Sequence, residues 1–395
     1  MKLLFVADGR SPIAVNWIRW WIDHGHEVYL ASTFACDPIS GLTGLDIVPV
    51  AFSGTKSTLK EGAKSPGGIW GARTLNLRLK IRQWAGPLTI SRSAKRLREI
   101  IVRIQPELVH AMRIPYEGMI AADAIASLES PPPLLVSIWG NDFTLHAPSS
   151  PLMRHYTEWT AGVADAIHAD CRRDIRLARQ WGFPTDRPTF VAPGNGGIQS
   201  DVFYPPVEPV SAPVVINPRG FRGYVRNDIF FQSIPKVLAK RPEARFLCAS
   251  MAGEPQALKW IDQLGIQGKV ELLQPLPHHA MADVFRSAAV LVSPSTHDGT
   301  PNTLLEGMTC GCFPVAGDLE SIREWITPGI NGFLVDPAYS DSLAEAILSA
   351  LDQPELRARA AEHNQRIIAD RADYAQNMAR AEAFYNRLVH PESKN

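Results

Sequence analysis

The chain has 395 residues, which is enough for two domains of ordinary size. Forty basic and forty acidic side chains cancel, and no nucleic-acid-binding motif is present, so the sequence argues against nucleic acid as a partner. The five cysteines are odd in number and scattered, which argues against a disulfide framework and favours a reducing compartment. No segment approaches the ~20 apolar residues of a membrane span.

The first half of the chain alternates predicted strands and helices, a pattern typical of a parallel α/β domain. Its opening apolar run is interrupted at once by Asp8, which predicts a first strand and not a signal peptide, so we expect a cytoplasmic protein. The predicted strands of this half are 3–7, 27–31, 107–111, 134–138, 166–169 and 190–192, and the predicted helices are 14–24, 116–127 and 171–181.

A proline-rich run then predicts a linker, and the second half repeats the alternation. The expected domains are 1–200 and 214–372, joined by the linker 201–213 and followed by a last amphipathic helix within 373–395. The predicted strands of the second half are 214–217, 244–249, 270–273 and 290–292, and the predicted helices are 228–239, 254–264, 340–351, 355–368 and 374–388.

One stretch, VLVSPSTHDGTPNTLLE at residues 290–306, carries the strongest chemical signal. A short apolar strand leads through a turn to a helix, for which Thr300 is the expected N-cap and Pro301 the expected first residue. The start of a helix has unpaired N–H groups and a partial positive charge, so it can hold a diphosphate. Asp298 and Glu306 flank this place, and carboxylates suit sugar hydroxyls better than phosphate.

The spacing Asp298-x7-Glu306, followed by GMTCGCFPV at 307–315, resembles the acidic motif of retaining glycosyltransferases of family 4, also called glycosyl transferases group 1. The stretch SIREWITPGINGFLVDP at 321–337 resembles the same family. The resemblance implies a GT-B fold, with two doubly wound Rossmann-like domains facing a central cleft and a last helix that crosses back to the first domain. It places the acceptor side in the domain 1–200 and the nucleotide-sugar site in the domain 214–372. It also implies that Asp298 contacts the donor sugar and that Glu306 holds the ribose. The diphosphate would then lie on the backbone of Gly299, Thr300, Pro301, Asn302 and Thr303.

Further site residues follow from the same resemblance. The family has an arginine after the first strand of the second domain and a lysine several residues later, both on the diphosphate. Arg219 matches the first, Arg226 is the match for the second, and Arg222 is the alternative to Arg226. Gln274 would lie beside the base. Asp142 would orient the sugar with Asp298, whereas Trp139 replaces a histidine that the family places near the donor sugar.

The function expected from this resemblance is transfer of a sugar, with retention, from a nucleotide-diphosphate sugar, with UDP favoured by the family. The acceptor is a small molecule or is lipid-linked, as in glycolipid, cell-surface polysaccharide or small-glycoside synthesis. No cofactor is expected, and no metal, because two arginines can replace a metal ion at the diphosphate. The alternatives are a sugar-nucleotide epimerase of the same fold and a non-catalytic nucleotide-sugar-binding protein.

Residues 55–103 form a basic segment with twelve lysines and arginines and two acidic residues, mixed with tryptophan and leucine. This mixture suits the surface of an anionic membrane, so the protein could lie peripherally on the inner face of the membrane. The alternative is a solvated basic loop and helix.

Overall fold

The structure is a computed structural model that describes residues 1–50 and 86–391. The chain divides into two compact units. The first comprises Met1–Gly196 together with Gln376–Asn395, and the second comprises Gly197–Ala375. The part of the basic segment that covers residues 55–85 lies outside the described residues.

The first unit is built on a seven-stranded parallel sheet with the order β3-β2-β1-β4-β5-β6-β7. Its strands are β1 Lys2–Ala7, β2 Glu27–Ser32, β3 Gly44–Ile47, β4 Leu108–Ala111, β5 Leu134–Ile138, β6 Ala166–Ala169 and β7 Thr189–Val191. The strand order reverses between β1 and β4, which makes the sheet doubly wound. In such sheets, ligands bind beyond the carboxyl ends of the strands at the point of reversal.

Helices pack on this sheet through apolar faces. Helix Ile90–Ile104 buries Ile90, Ala94, Leu97 and Ile101 at spacings of three and four residues, as an amphipathic helix does. The α-helices described in this unit are Pro12–Asp23, Ile90–Ile104, Met119–Ile125, Pro151–Val163, Arg172–Gln180 and Tyr374–Val389.

The helix predicted at 116–127 is shorter than expected and begins at Met119. Tyr116 has a φ of 71°, in the left-handed region, so the backbone cannot continue a right-handed helix through it. The preceding turn, Ile114–Gly118, begins three residues beyond the carboxyl end of β4.

The second unit is built on a six-stranded parallel sheet with the order β10-β9-β8-β11-β12-β13. Its strands are β8 Val214–Asn217, β9 Arg245–Cys248, β10 Val270–Leu272, β11 Val290–Ser293, β12 Phe313–Gly317 and β13 Phe333–Val335. Its α-helices are Asn227–Leu238, Pro255–Gln263, His278–Arg286, Asn302–Thr309, Ser340–Asp352 and Pro354–Arg371. Within the described part of the chain, no helix is long and apolar enough to cross a membrane.

A buried chain of hydrogen bonds ties the last helix to the first unit. The indole Nε1 of Trp17 donates to the Tyr385 hydroxyl at 3.0 Å, and that hydroxyl lies 2.5 Å from Nδ1 of His110. The chain continues from His110 Nε2 to the Ser137 hydroxyl at 2.7 Å and from there to His168 Nδ1 at 2.8 Å. It ends where His168 Nε2 meets the carbonyl oxygen of Ala192 at 3.0 Å.

The Ala192 carbonyl sets the direction of this whole chain. A carbonyl can only accept, so His168 carries its proton on Nε2 and accepts on Nδ1 from the Ser137 hydroxyl. His110 then donates from Nε2 and accepts on Nδ1 from Tyr385. Burial lowers the pKa of His168 to about 4 and the pKa of His110 well below its usual value, so both rings are neutral at pH 7.

Tyr385→Phe should destabilise the first unit. Removal of the hydroxyl leaves the Trp17 indole N–H without an acceptor and His110 Nδ1 without a donor, and a buried unsatisfied group costs about 1–3 kcal/mol. Tyr339→Phe is the matched control because Tyr339 is 63% exposed. Amide hydrogen exchange in β4–β6 measures the effect, and equal protection in the two variants would contradict it.

Candidate functional site

The turn between β11 and helix Asn302–Thr309 has the expected chain path, but the helix begins later than predicted. Pro301 and not Thr300 is the N-cap, since the Pro301 carbonyl accepts from the amide of Leu304 at 2.9 Å. Thr300 is buried, and its hydroxyl accepts from the Trp325 indole at 3.0 Å. The hydroxyl is therefore committed to tertiary packing and does not cap the helix.

Arg219, Asp298 and Thr303 form one cluster in the second unit. Arg219 follows β8, which pairs with β11, so the loops beyond the two strands are neighbours. Arg219 Nη2 lies 2.6 Å from an oxygen of Asp298, and Nη1 donates to the Thr303 hydroxyl at 3.2 Å. The side chains of Arg219 and Asp298 are only 7% and 14% exposed, so this ion pair is shielded from water.

Glu306 lies beside this cluster, one turn inside the helix, and is 5% exposed. Burial raises the pKa of its carboxyl group to about 7, although the nearby charge of Arg219 acts in the opposite direction. Near neutral pH the group is therefore present in both protonation states. The Arg219 guanidinium can neutralise only one of the two carboxyl groups near it, those of Asp298 and Glu306. This favours the protonated form of Glu306.

Two polar atoms at this cluster have no hydrogen-bond partner among the described residues: Nε of Arg219 and Oδ1 of Asn302. Both atoms are buried, and buried polar atoms are normally paired. A bound ligand could pair with this donor and this acceptor, which lie near the start of helix Asn302–Thr309. The two atoms therefore indicate a ligand-binding site at this cluster.

Arg226 and Gln274 lie outside the cluster of Arg219, Asp298 and Thr303. The guanidinium of Arg226 makes two hydrogen bonds to Asp228, at 2.8 and 2.7 Å, because that carboxylate stands only two residues away in the first helical turn. Gln274 is exposed in the loop after β10, and β9 and β8 separate β10 from β11 in the sheet. The pairing of Arg226 with Asp228 was not predicted, although Asp228 stands two residues further along the sequence.

In the first unit, the Asp142 carboxylate is completely buried, and its surroundings do not suit a direct contact with a sugar. Its oxygens accept from Arg113 Nε at 3.1 Å and from the amides of Trp139 and Ile114 at 3.1 and 3.2 Å. Burial raises the pKa of Asp142, and the charge of Arg113 opposes that rise. In this conformation Asp142 holds Arg113 and shapes the two loops.

Arg113 is a candidate site residue that the sequence analysis did not select. It stands two residues beyond β4, at the carboxyl end of the sheet, and this position was the available signal. Its Nη2 also donates to Asn141 at 3.3 Å and approaches the His146 ring at 2.9 Å, so several groups fix its orientation.

One group of potential metal ligands occurs within residues 1–50 and 86–391, namely Asp170, Cys171 and Asp174. All three are buried, and Asp174 is already paired with the Arg173 guanidinium at 2.7 Å. A cation therefore already occupies the side of the cluster that a metal would need, so these residues support no metal site.

In comparisons with known proteins, each half of the chain matches a glycosyltransferase family model. The family model "Glycosyl transferases group 1" matches residues 207–366, and the model "Glycosyl transferase 4-like domain" matches residues 9–194. The D-inositol 3-phosphate glycosyltransferase of Thermobispora bispora is 27% identical over 218 residues, which is 50% of each chain. The phosphatidyl-myo-inositol mannosyltransferase of Mycolicibacterium smegmatis is 28% identical over 133 residues, or 33% of each chain. The match thus spans about half the length, or less, of these curated relatives.

Solved structures support the same fold over nearly the whole chain. The sucrose-phosphate synthase of Thermosynechococcus elongatus has a TM-score of 0.75 at 14% identity and covers 99% of this chain and 100% of its own. HepE of Anabaena in complex with UDP-glucose has a TM-score of 0.72 at 16% identity, over 97% and 99% of the two chains. The two family models agree with the acidic motif and with the two Rossmann-like parallel-sheet units. The chain therefore belongs to the glycosyl transferases of group 1, in family 4, with the GT-B fold.

Proposed function

We propose that the protein transfers a sugar from a nucleoside-diphosphate sugar to a hydroxyl group of an acceptor, with retention of anomeric configuration. The observation that carries this proposal is the cluster of Arg219, Asp298 and Thr303 at the start of helix Asn302–Thr309, in which Arg219 is buried, with the buried Glu306 beside it. It combines a cation and helix amides, which suit a diphosphate, with carboxylates, which suit sugar hydroxyls.

In this proposal, each group has one task. The diphosphate gains negative charge as its bond to the sugar breaks, and Arg219 and the backbone of 299–303 stabilise that charge. Arg219 releases Asp298 when it meets the diphosphate, and the freed carboxylate accepts from the donor sugar. Glu306 accepts from the ribose hydroxyls. Arg226, once turned away from Asp228, supplies the second cation, and Gln274 lies beside the base.

Uracil is the base we propose, because similar structures such as HepE were solved with UDP or UDP-glucose. The acceptor we propose is built on a polyhydroxylated ring, since the names of several curated relatives specify inositol derivatives. Two arginines at the diphosphate make a divalent metal unnecessary, so we expect transfer to survive an added chelator.

The direct test is a donor panel. The purified chain is titrated with UDP, GDP and ADP, and then incubated with the matching sugar nucleotides and ring polyols. We expect binding of one nucleoside diphosphate and its release upon transfer, with an α-linked product from an α-linked donor by NMR. A product that remains a nucleotide sugar with one inverted sugar centre would indicate an epimerase, and binding without any turnover would indicate a non-catalytic protein.

We further propose that the basic segment 55–103 contacts an anionic membrane. Its described part includes helix Ile90–Ile104, which exposes Arg92, Lys95 and Arg96 on the face opposite to its buried isoleucines. Each Lys or Arg near an anionic surface contributes about 1 kcal/mol, so a few suffice for reversible binding. The acceptor would then be lipid-linked or delivered at the membrane surface.

Vesicle co-sedimentation tests this contact. We expect binding that requires anionic lipid, falls as salt rises and decreases when Lys95 and Arg96 are both changed to glutamine. Lys259→Gln with Arg359→Gln removes the same charge from exposed positions of the second unit and serves as the control. No binding to anionic vesicles at low salt would leave a solution acceptor as the better proposal.

A further inference from the structure

A short segment of the second unit, residues 321–325, contacts the turn between β11 and the helix that follows it. The Ser321 hydroxyl donates to the carbonyl oxygen of Asp298 at 2.7 Å, and the Trp325 indole Nε1 donates to the Thr300 hydroxyl at 3.0 Å. Ser321 and Trp325 are 0% and 5% exposed, so both hydrogen bonds are shielded from competing water. We call this segment the brace, because it holds the turn at two of its residues.

Trp325 is itself fixed by groups that lie behind it. Its carbonyl oxygen accepts from Asn331 Nδ2 at 2.8 Å, and the same Nδ2 donates to Asn364 Oδ1 at 2.8 Å. Both asparagines are completely buried. The Arg371 guanidinium lies 4.3 Å from the centre of the indole ring and donates to the Glu324 carbonyl at 2.7 Å. The indole is therefore held at its backbone and at its ring face, and its N–H has a fixed direction.

The brace and Arg219 hold different atoms of the same turn. Arg219 contacts the Asp298 carboxylate and the Thr303 hydroxyl. The brace contacts the Asp298 carbonyl and the Thr300 hydroxyl. In the proposed function, Arg219 leaves Asp298 when the diphosphate arrives. The contacts of the brace do not depend on that ion pair, so they hold the turn in place while Arg219 changes partners.

The position of the turn matters because its backbone is the proposed diphosphate site. Backbone N–H groups stabilise developing charge most when they already point at the place where that charge appears. A displacement of about 1 Å in such a site can lower the rate by about a hundredfold. A hydrogen bond that served packing alone would change stability and leave turnover unaffected.

We propose that Trp325 is a positioning residue for sugar transfer, which acts through the Thr300 hydroxyl to keep the backbone of 299–303 directed at the diphosphate. The proposal rests on the proposed function, from which it takes the diphosphate site. The charge on the diphosphate is largest as the sugar bond breaks, so a displaced turn lowers turnover more than it lowers UDP affinity.

Trp325→Phe tests the proposal, because phenylalanine keeps an aromatic ring and lacks the N–H. UDP release from the UDP-sugar and ring polyol that react in the donor panel measures turnover, and UDP titration measures affinity. We expect turnover at saturating donor to fall by a factor of about 10–100, and UDP affinity to fall by a smaller factor. Ile347→Val is the control, since it shortens a buried side chain in a separate core cluster and should lower stability without changing turnover.

The role of Thr300 is tested by a double-mutant cycle. Thr300→Val breaks the same hydrogen bond from the acceptor side, so the test stands even if Trp325→Phe does not fold. Thr300→Ser keeps the hydroxyl and should retain most of the turnover. If Trp325 acts through this hydroxyl, Trp325→Phe should lower turnover no further in the Thr300→Val background.

Three outcomes would contradict the proposal in different ways. If Trp325→Phe and Thr300→Val both keep the turnover of Ile347→Val, the hydrogen bond is structural only. Effects of Trp325→Phe and Thr300→Val that multiply in the double variant would show that Trp325 does not act through Thr300. A wild type that transfers no sugar would overturn the proposed function and this proposal together, whereas an active wild type with unaffected variants overturns this proposal alone.

Discussion

Arg219→Ala should lower turnover at saturating donor by a factor on the order of 10²–10³, the usual effect of removing one group that stabilises developing negative charge. Arg219 is well placed for such an effect because it is buried, and its Nη1 and Nη2 contact Thr303 and Asp298. The charge on the diphosphate is largest as the sugar bond breaks, so turnover should fall more than donor affinity.

The matched control is Arg241→Ala. Arg241 also pairs with a carboxylate, since its Nε donates to Asp352 at 2.8 Å, and it precedes β9 at the amino end of that strand. Its loss removes the same charge from the second unit without touching Asp298 or Thr303. Steady-state kinetics and a thermal melt on both variants measure the difference. A folded Arg219→Ala enzyme with normal turnover at saturating donor would remove Arg219 from the mechanism.

Glu306→Gln should make the ligand-free protein more stable and make nucleotide binding weaker. Burial raises the pKa of Glu306 from 4.5 to about 7, so above pH 7 the folded protein carries a buried charge that the unfolded chain exposes to water. That cost is absent below about pH 4.5, where both states are protonated, and it grows to about 3 kcal/mol above pH 7. Glutamine has the same shape and no charge, so it removes the cost.

The gain in stability should therefore appear at pH 8 and vanish at pH 4. Urea unfolding at the two pH values measures it, and Glu271→Gln, at an exposed position of β10, is the control. UDP affinity of Glu306→Gln should fall by about 1–3 kcal/mol, because the ribose hydroxyls lose a charged acceptor. A variant that is less stable than the wild type at pH 8 would contradict the proposed cost of the carboxylate.

The strands predicted at 134–138, 166–169 and 214–217 are confirmed residue for residue. Each is a short, largely apolar run preceded by a proline or an aspartate, and a strand covered on both faces of a parallel sheet needs such a run. The strand Gly44–Ile47 was missed because it lies at the edge of its sheet, is only half-buried and carries Asp46. An edge strand shows less of the apolar pattern on which the prediction depends.

For the site as well, sequence patterns could select single residues, whereas contacts between residues distant in sequence could not be predicted. Asp298, Glu306 and Arg219 could be selected from a motif and from their positions after strands. The ion pair between Arg219 and Asp298 could not be predicted, because 79 residues separate the two and the contact depends on how β8 and β11 pair. The N-cap prediction at Thr300 was wrong for a similar reason, since its competitor, Trp325, is 25 residues away.

The first unit is discontinuous in sequence, and this has a consequence for its synthesis. Residues 376–395, which carry Tyr385, belong to it, but the ribosome makes them only after the whole of the second unit. At a rate of synthesis of about 5–20 residues per second, the last helix of the first unit is completed roughly 10–40 s after the rest of that unit. During that time the second unit can fold as a complete segment, whereas Trp17 and His110 lack their partner Tyr385. A nascent chain that stalls before residue 376 therefore presents an incomplete first unit to chaperones and proteases.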